Sequence, residues 1–289
     1  MLQKNRMSLM TFNIAPDLNS RSMQIEDIFK LASLEGVPFV DLMNIAEEDL
    51  PAYCVAMQET GIKLGCYIAS VQFLQPEAVF LPQLRTALQT ASRLKAPRLM
   101  IVPFAAGEDF CLAEAAGREK VLQGMIKGFQ IAAAKGKEYS VPVCFETTPH
   151  EVFCLSGTED CKRILEEVPG LGLAFDTANM LSHGDHPVTA YQALKPYIVH
   201  VHLKDVALIG GKEGAAFWEK ANDGRGMQCV VWGQGVIPVK DLYHRVLGDG
   251  YSGLFAIEYT HPGQPDSTLD DHRRHLQQFW RAFEEEEIL

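Results

Sequence analysis

The stretch GLAFDTANM, residues 172–180, decides how this chain is read. Gly172 to Phe175 is a short run fit for a buried strand, and it passes directly into a carboxylate, Asp176. A charge at the end of a buried strand is costly unless something pairs with it. Three other runs end the same way. Val143-Cys144-Phe145 leads to Glu146, Val199-His200-Val201 to His202, and Phe255-Ala256-Ile257 to Glu258.

These four runs belong to a set of eight. Short segments rich in β-formers lie at 8–14, 38–43, 63–69, 98–104, 142–146, 172–176, 198–203 and 254–259. Amphipathic stretches with helical period separate them, at 23–34, 81–94, 113–134, 158–168, 241–247 and 269–286. Pro169-Gly170 stops one of these helices, and Gly248 and Gly250 end another. This alternation predicts a parallel sheet closed into a (β/α)8 TIM barrel. A doubly wound open sheet would want a glycine-rich turn after its first strand, whereas Ile14-Ala15-Pro16-Asp17-Leu18 stands there. No linker-like composition divides residues 1–289, so a single domain is expected. The connection at about 205–238 is long and glycine-rich, and reads as a functional loop of lid type on the catalytic face.

Side chains alternate along a strand. In step with Glu146, Asp176 and Glu258 stand Cys144, Ala174 and Ala256, all small. Out of step stand Val143, Phe145, Leu173, Phe175, Phe255 and Ile257. The bulky set should face the helices, and the small set and its polar successors the barrel axis. The same parity turns His200 and His202 inward. Four successive strands would then aim Glu, Asp, His and Glu at one region of the barrel mouth, where such barrels do chemistry. Three carboxylates packed with one imidazole call for a divalent cation. The oxygen and nitrogen donors suit Mn2+, Mg2+ or Co2+, with Zn2+ also compatible.

The motifs VCFETTP, FDTAN, HVHLKD and FAIEYT, with GQGVIP at 233–238, resemble those of the xylose isomerase-like barrels, and more closely their sugar-phosphate isomerase/epimerase group. The resemblance covers nearly the whole chain. It implies a metal site of Glu146, Asp176, His202 and Glu258, and isomerisation or epimerisation beside a carbonyl of a ketose or keto-polyol through a metal-stabilised enediolate. Glu146 and Glu258 are the expected pair of catalytic bases, with Mn2+ the expected ion. The same first step also opens a route to loss of water, as in the inosose and dehydroshikimate dehydratases of the wider family. A non-catalytic sugar-binding barrel is a further alternative. The chain departs from the group at Thr147, where asparagine is common, and at Val152, where many epimerases carry glutamate. It departs again at Asn179, where ketose epimerases often place histidine. The arginine some epimerases hold after strand seven is replaced by Lys204. Asn179, Lys204, His150 and Trp232 are the expected substrate contacts.

Other residues read more plainly. His200 is expected as a buried neighbour of the ligands, Asp205 as a loop brace, Trp218 as loop packing and Trp280 as helix core. His183 and His186 are expected to face solvent. Asn13, Asp41 and Asn44 end the first two strands and are candidates to line the mouth. The net charge of −11 disfavours a nucleic-acid backbone as partner. An endonuclease on this barrel would also want more histidines at the strand mouths. The seven cysteines fit no metal-binding spacing and are expected to be reduced thiols of a cytoplasmic protein. No run approaches the ~18 apolar residues of a membrane span. A small-molecule sugar or polyol is the expected partner, with a homodimer by analogy to other barrels.

Overall fold

A computed structural model describes residues 2–103, 115–210, 219–259 and 267–285. Trp218, Cys111, Glu286 and Glu287 lie outside them. The strands are β1 (Met7–Met10), β2 (Phe39–Met43), β3 (Lys63–Val71), β4 (Leu99–Pro103), β5 (Val143–Glu146), β6 (Gly172–Asp176), β7 (Ile198–Leu203) and β8 (Phe255–Ile257). They close into a barrel in the order β1-β8-β7-β6-β5-β4-β3-β2. All eight expected strands are present, wrapped by helices, and the chain is a (β/α)8 barrel.

Two strands are shorter than the sequence indicates by three residues each. β1 stops at Met10, and Thr11–Ile14 turns into a 3-10 helix. The Thr11 hydroxyl explains the change, because it accepts from the Met43 N–H (2.9 Å) and so takes over a ladder position. β8 ends at Ile257, although Glu258 still donates its N–H to the Leu203 carbonyl (3.2 Å).

Within the barrel the chain forms two compact units, 1–65 with 200–219 and 225–289, and 66–199 with 220–224. In the first, the helix Ile25–Glu35 begins where the Gln24 N–H donates to Asp27 (2.8 Å) and ends on Gly36, whose φ of +69° suits glycine. The helix Leu50–Thr60 follows, and helices Val239–Gly248 and Leu269–Glu285 complete the unit. Its aromatic core joins Tyr243 to Phe255 (centroids 4.7 Å) and to Phe283 (5.2 Å). In the second unit, Phe129 packs against Phe73 (5.0 Å) and Phe145 (4.9 Å) beneath helices Glu77–Arg93 and Ala115–Glu138. Phe145, out of step with Glu146, joins this packing through Phe129, as parity requires.

The connection at 205–238 is not a bare loop. Asp205–Ile209, Glu219–Lys220 and Gly226–Val230 form a three-stranded sheet, with the first and last antiparallel and Val206 opposite Cys229. β-branched and small residues at 206–209 and 226–230 support the pairing, a pattern the glycines obscure in the sequence. Among the described residues, Cys54, Cys66, Cys144, Cys161 and Cys229 are reduced thiols. Cys154 is disulfide-bonded, which corrects the expectation of reduced thiols at that position. Burial pushes the Cys161 thiol up to about 12, so it is inert. Among the described residues no helix is long and apolar enough to cross a membrane.

Candidate functional site

In the second unit, Glu146 ends β5 and Asp176 ends β6, both buried. β5 and β6 run in register with Glu146 opposite Ala174. The Asp176 N–H donates to the Thr147 hydroxyl (2.9 Å), and the Thr147 N–H to the Ala174 carbonyl (3.1 Å). One carboxylate oxygen of Asp176, Oδ1, accepts from the backbone N–H groups of Ala178 and Asn179, each at 2.7 Å. It thereby caps the short helix Asn179–Ser182, whose first amides would otherwise lack partners. The Asn179 side chain donates to the Thr147 carbonyl (2.8 Å) and is 1% exposed. Expected as a substrate contact, it ties the ends of β5 and β6 together.

His150 is half-buried. Its backbone N–H donates to the Ser182 hydroxyl (2.8 Å), and its ring meets the edge of His183 (5.4 Å). Burial, aided by Arg118, holds the His150 pKa below its ordinary value. His183 does not face solvent as expected. Its Nε2 lies 2.9 Å from the Thr148 carbonyl, which can only accept, so that nitrogen carries the proton. Burial holds its pKa down to about 4. His186 is exposed, as the sequence indicates.

In the first unit, alternate residues of β7 and the residue after it, His200, His202 and Lys204, are all buried. His202 Nδ1 lies 2.8 Å from Glu258 Oε2. Lys204 Nζ donates to Glu258 Oε1 (3.1 Å) and to Glu219 Oε1 (2.8 Å). Burial alone would raise the pKa of the Glu258 carboxyl. Lys204 and His202 overcome that and hold it down to about 2. His200 Nε2 lies 2.8 Å from Asp41 Oδ2, and the Ser8 hydroxyl donates to Asp41 Oδ1 (2.7 Å). Asp41 therefore pairs with His200 inside the barrel. Gly65 makes room for it, since a Cβ there would sit 2.4 Å from Asp41 Oδ1. Asn13 braces the end of β8 through the Ile257 carbonyl (2.8 Å) and the Tyr259 N–H (3.1 Å). Asn44 is exposed.

Trp232 corrects an expectation. Its indole is 3% exposed, donates to the Leu203 carbonyl (3.3 Å), and packs against Phe279 (5.1 Å) and Phe283 (5.9 Å). Asp205 is the loop brace the sequence indicates. Its two oxygens accept from the N–H groups of Val206 (2.8 Å), Gly233 (2.9 Å), Gly235 (2.9 Å) and Ile237 (3.0 Å). Glu219 was not singled out by sequence, because nothing in residues 217–221 marks it as the partner of Lys204.

A family profile described as the xylose isomerase-like TIM barrel matches residues 30–279. An uncharacterized protein of Escherichia coli strain K12, YihM, is 34% identical over 85 residues, a match that takes in 29% of this chain and 23% of that protein's length. The fold is similar to that of the IOLI protein solved with a bound zinc atom, with a TM-score of 0.72, 15% identity and 96% of each chain covered. It is also similar to the probable 3-DHS dehydratase AsbF of Bacillus anthracis, with a TM-score of 0.70, 17% identity, and 94% of this chain and 98% of that one covered. At these identities the structural likeness speaks to the fold. The profile match spans most of the chain, and the chain belongs to the xylose isomerase-like TIM barrel family.

Proposed function

We propose that this chain is a divalent-metal-dependent isomerase or epimerase of a ketose or keto-polyol, with Glu146, Asp176, His202 and Glu258 as ligands of one ion. One observation carries the reading. These four buried side chains each offer a donor atom, and the donors lie within 4.8 Å of one another. Three carboxylates and an imidazole kept from water are costly without a cation among them. The donor set fits such an ion. Carboxylate oxygens with one imidazole nitrogen are the mixed hard and borderline donors that hold first-row divalent ions. Mn2+ is the ion proposed, and Mg2+, Co2+ and Zn2+ suit the same donors.

When bound, the ion would polarise the substrate carbonyl and its neighbouring hydroxyl. Glu146 then acts as the base that takes the proton from the carbon beside the carbonyl, and Glu258 relays one from the Lys204 ammonium, which donates to it, to the opposite face. Asp176 and His202 act as ligands. Asp176 is suited to that role by its capped, immobile carboxylate. Lys204 keeps Glu258 in place.

The test is a chelated protein assayed on ketoses and cyclic keto-polyols in D2O. Turnover should vanish without metal, return with Mn2+, and carry deuterium onto one substrate carbon. Full activity in metal-free protein would sink the proposal. A dehydratase is the second reading, favoured by the likeness to AsbF and by a shared first step of proton removal. A product lighter by one water, seen by mass spectrometry, selects it.

A further inference from the structure

Glu219 sits on the two-residue strand Glu219–Lys220 of the small sheet and is 9% exposed. Its Oε1 accepts from Lys204 Nζ at 2.8 Å, and the same ammonium reaches Glu258 Oε1 at 3.1 Å. Lys204 is itself 3% exposed. The two oxygens of Glu258 therefore have different partners, Lys204 on Oε1 and His202 on Oε2.

An ammonium beside a sugar site is the usual receiver of a substrate phosphate or carboxylate. Here that ammonium is already shared between two protein carboxylates, each within 3.1 Å of it. The three groups are buried, so the negative charge of the carboxylates is weakly screened. A substrate anion brought to Lys204 would meet repulsion. A neutral hydroxyl would not.

We infer that Glu219 sets the substrate class: it holds Lys204 on Glu258 and closes the site to phosphorylated or carboxylated sugars, leaving it to uncharged ketoses and cyclic keto-polyols. The inference rests on Glu258 belonging to the site proposed above. It gives a structural task to the connection after β7, which delivers Glu219 from outside the barrel strands.

Sulfate, a tetrahedral dianion, is the probe. It is titrated calorimetrically at constant ionic strength into the manganese-loaded full chain, wild type and Glu219→Gln. The variant keeps the shape and an acceptor oxygen and removes the charge. It should bind sulfate at least about tenfold more tightly than wild type, as removal of a repulsive element predicts. The double variant Lys204→Met/Glu219→Gln should return to the wild-type value, which assigns the gain to Lys204. In parallel, wild-type turnover of uncharged ketoses should exceed that of their phosphate esters. Equal sulfate binding by wild type and Glu219→Gln, or a wild-type preference for the esters, overturns the inference. If Glu219→Gln fails to fold by circular dichroism, the wild-type ester comparison decides. If no sugar is turned over, the sulfate ratio decides. Manganese stoichiometry measured on the same samples separates the two readings, since its loss sinks the metal site while the sulfate ratio, repeated without metal, still judges Glu219.

Discussion

Asp176 and Glu258 are both buried carboxylates at strand ends, yet they are held by different chemistry. Asp176 is bound by backbone N–H groups of its own following turn, with the Thr147 hydroxyl fixing its main chain. Glu258 is bound by ionisable side chains, Lys204 and His202. Backbone donors cannot leave and do not titrate. Ionisable side-chain partners can be re-paired by a metal, by pH or by a neighbouring charge such as Glu219. The carboxylate at the end of β6 is a fixed anchor, and the one after β8 is adjustable. Asp205 sits in the unit that holds Glu258 but belongs by chemistry to the anchored class, with four backbone donors on its carboxylate.

The largest expected effect falls on the adjustable carboxylate. Glu258→Gln should lower turnover by about 10^2–10^4-fold at saturating Mn2+, the usual contribution of a positioned acid or base. Turnover near wild type would remove Glu258 from the proposed mechanism. Asp205→Asn should cost about 2–4 kcal/mol in urea unfolding, because an amide NH2 would confront backbone donors and leave them unpaired. Thr147→Val keeps the shape and removes the acceptor of the Asp176 N–H. A loss of about 1–3 kcal/mol is expected from one stranded buried donor. No measurable loss would show that the anchor at β6 does not need it.

The smallest effect separates the two units by pH. His183 has a folded pKa of about 4 against 6.5 unfolded, so the folded chain binds fewer protons between these values, and stability falls as pH falls from 6.5 to 4. His150, lowered beside it, acts in the same direction. Glu258, at about 2 against 4.5, contributes stability above 4.5 that is lost as pH falls through 2. His183→Gln should therefore flatten the melting temperature between pH 6.5 and 4.5, a change on the order of 1 kcal/mol, and leave the steeper loss below 4.5. An unchanged slope in the upper window would assign it to other groups.

How much of this was legible before the structure follows from what each signal depends on. Strand alternation is local, so all eight barrel strands could be read from it, and the inward set at 144, 174 and 256 follows from parity. The helix Leu50–Thr60 was missed because its apolar residues do not gather on one face and Pro51 at its start resembles a turn signal. The small sheet at 205–230 was hidden by glycines. Partnerships made by the fold could not be seen at all. Lys204 with Glu219, Asp41 with His200 and Trp232 with Phe279 each join residues whose meeting depends on three-dimensional packing. The Asn179 amide faces the Thr147 carbonyl, an orientation that no spacing rule contains.

The Asp205 carboxylate gathers amides from residues 206, 233, 235 and 237, and a Cβ on Gly235 would lie 2.1 Å from one of its oxygens. A glycine-rich segment behaves in most proteins as a place where proteases cut and deuterium enters first. Here the amides of Gly233, Gly235 and Ile237 are expected to exchange slowly, as if they belonged to a strand. Their labelling clock then reports whether that single carboxylate still grips the segment, well before any assay of the chemistry is in hand.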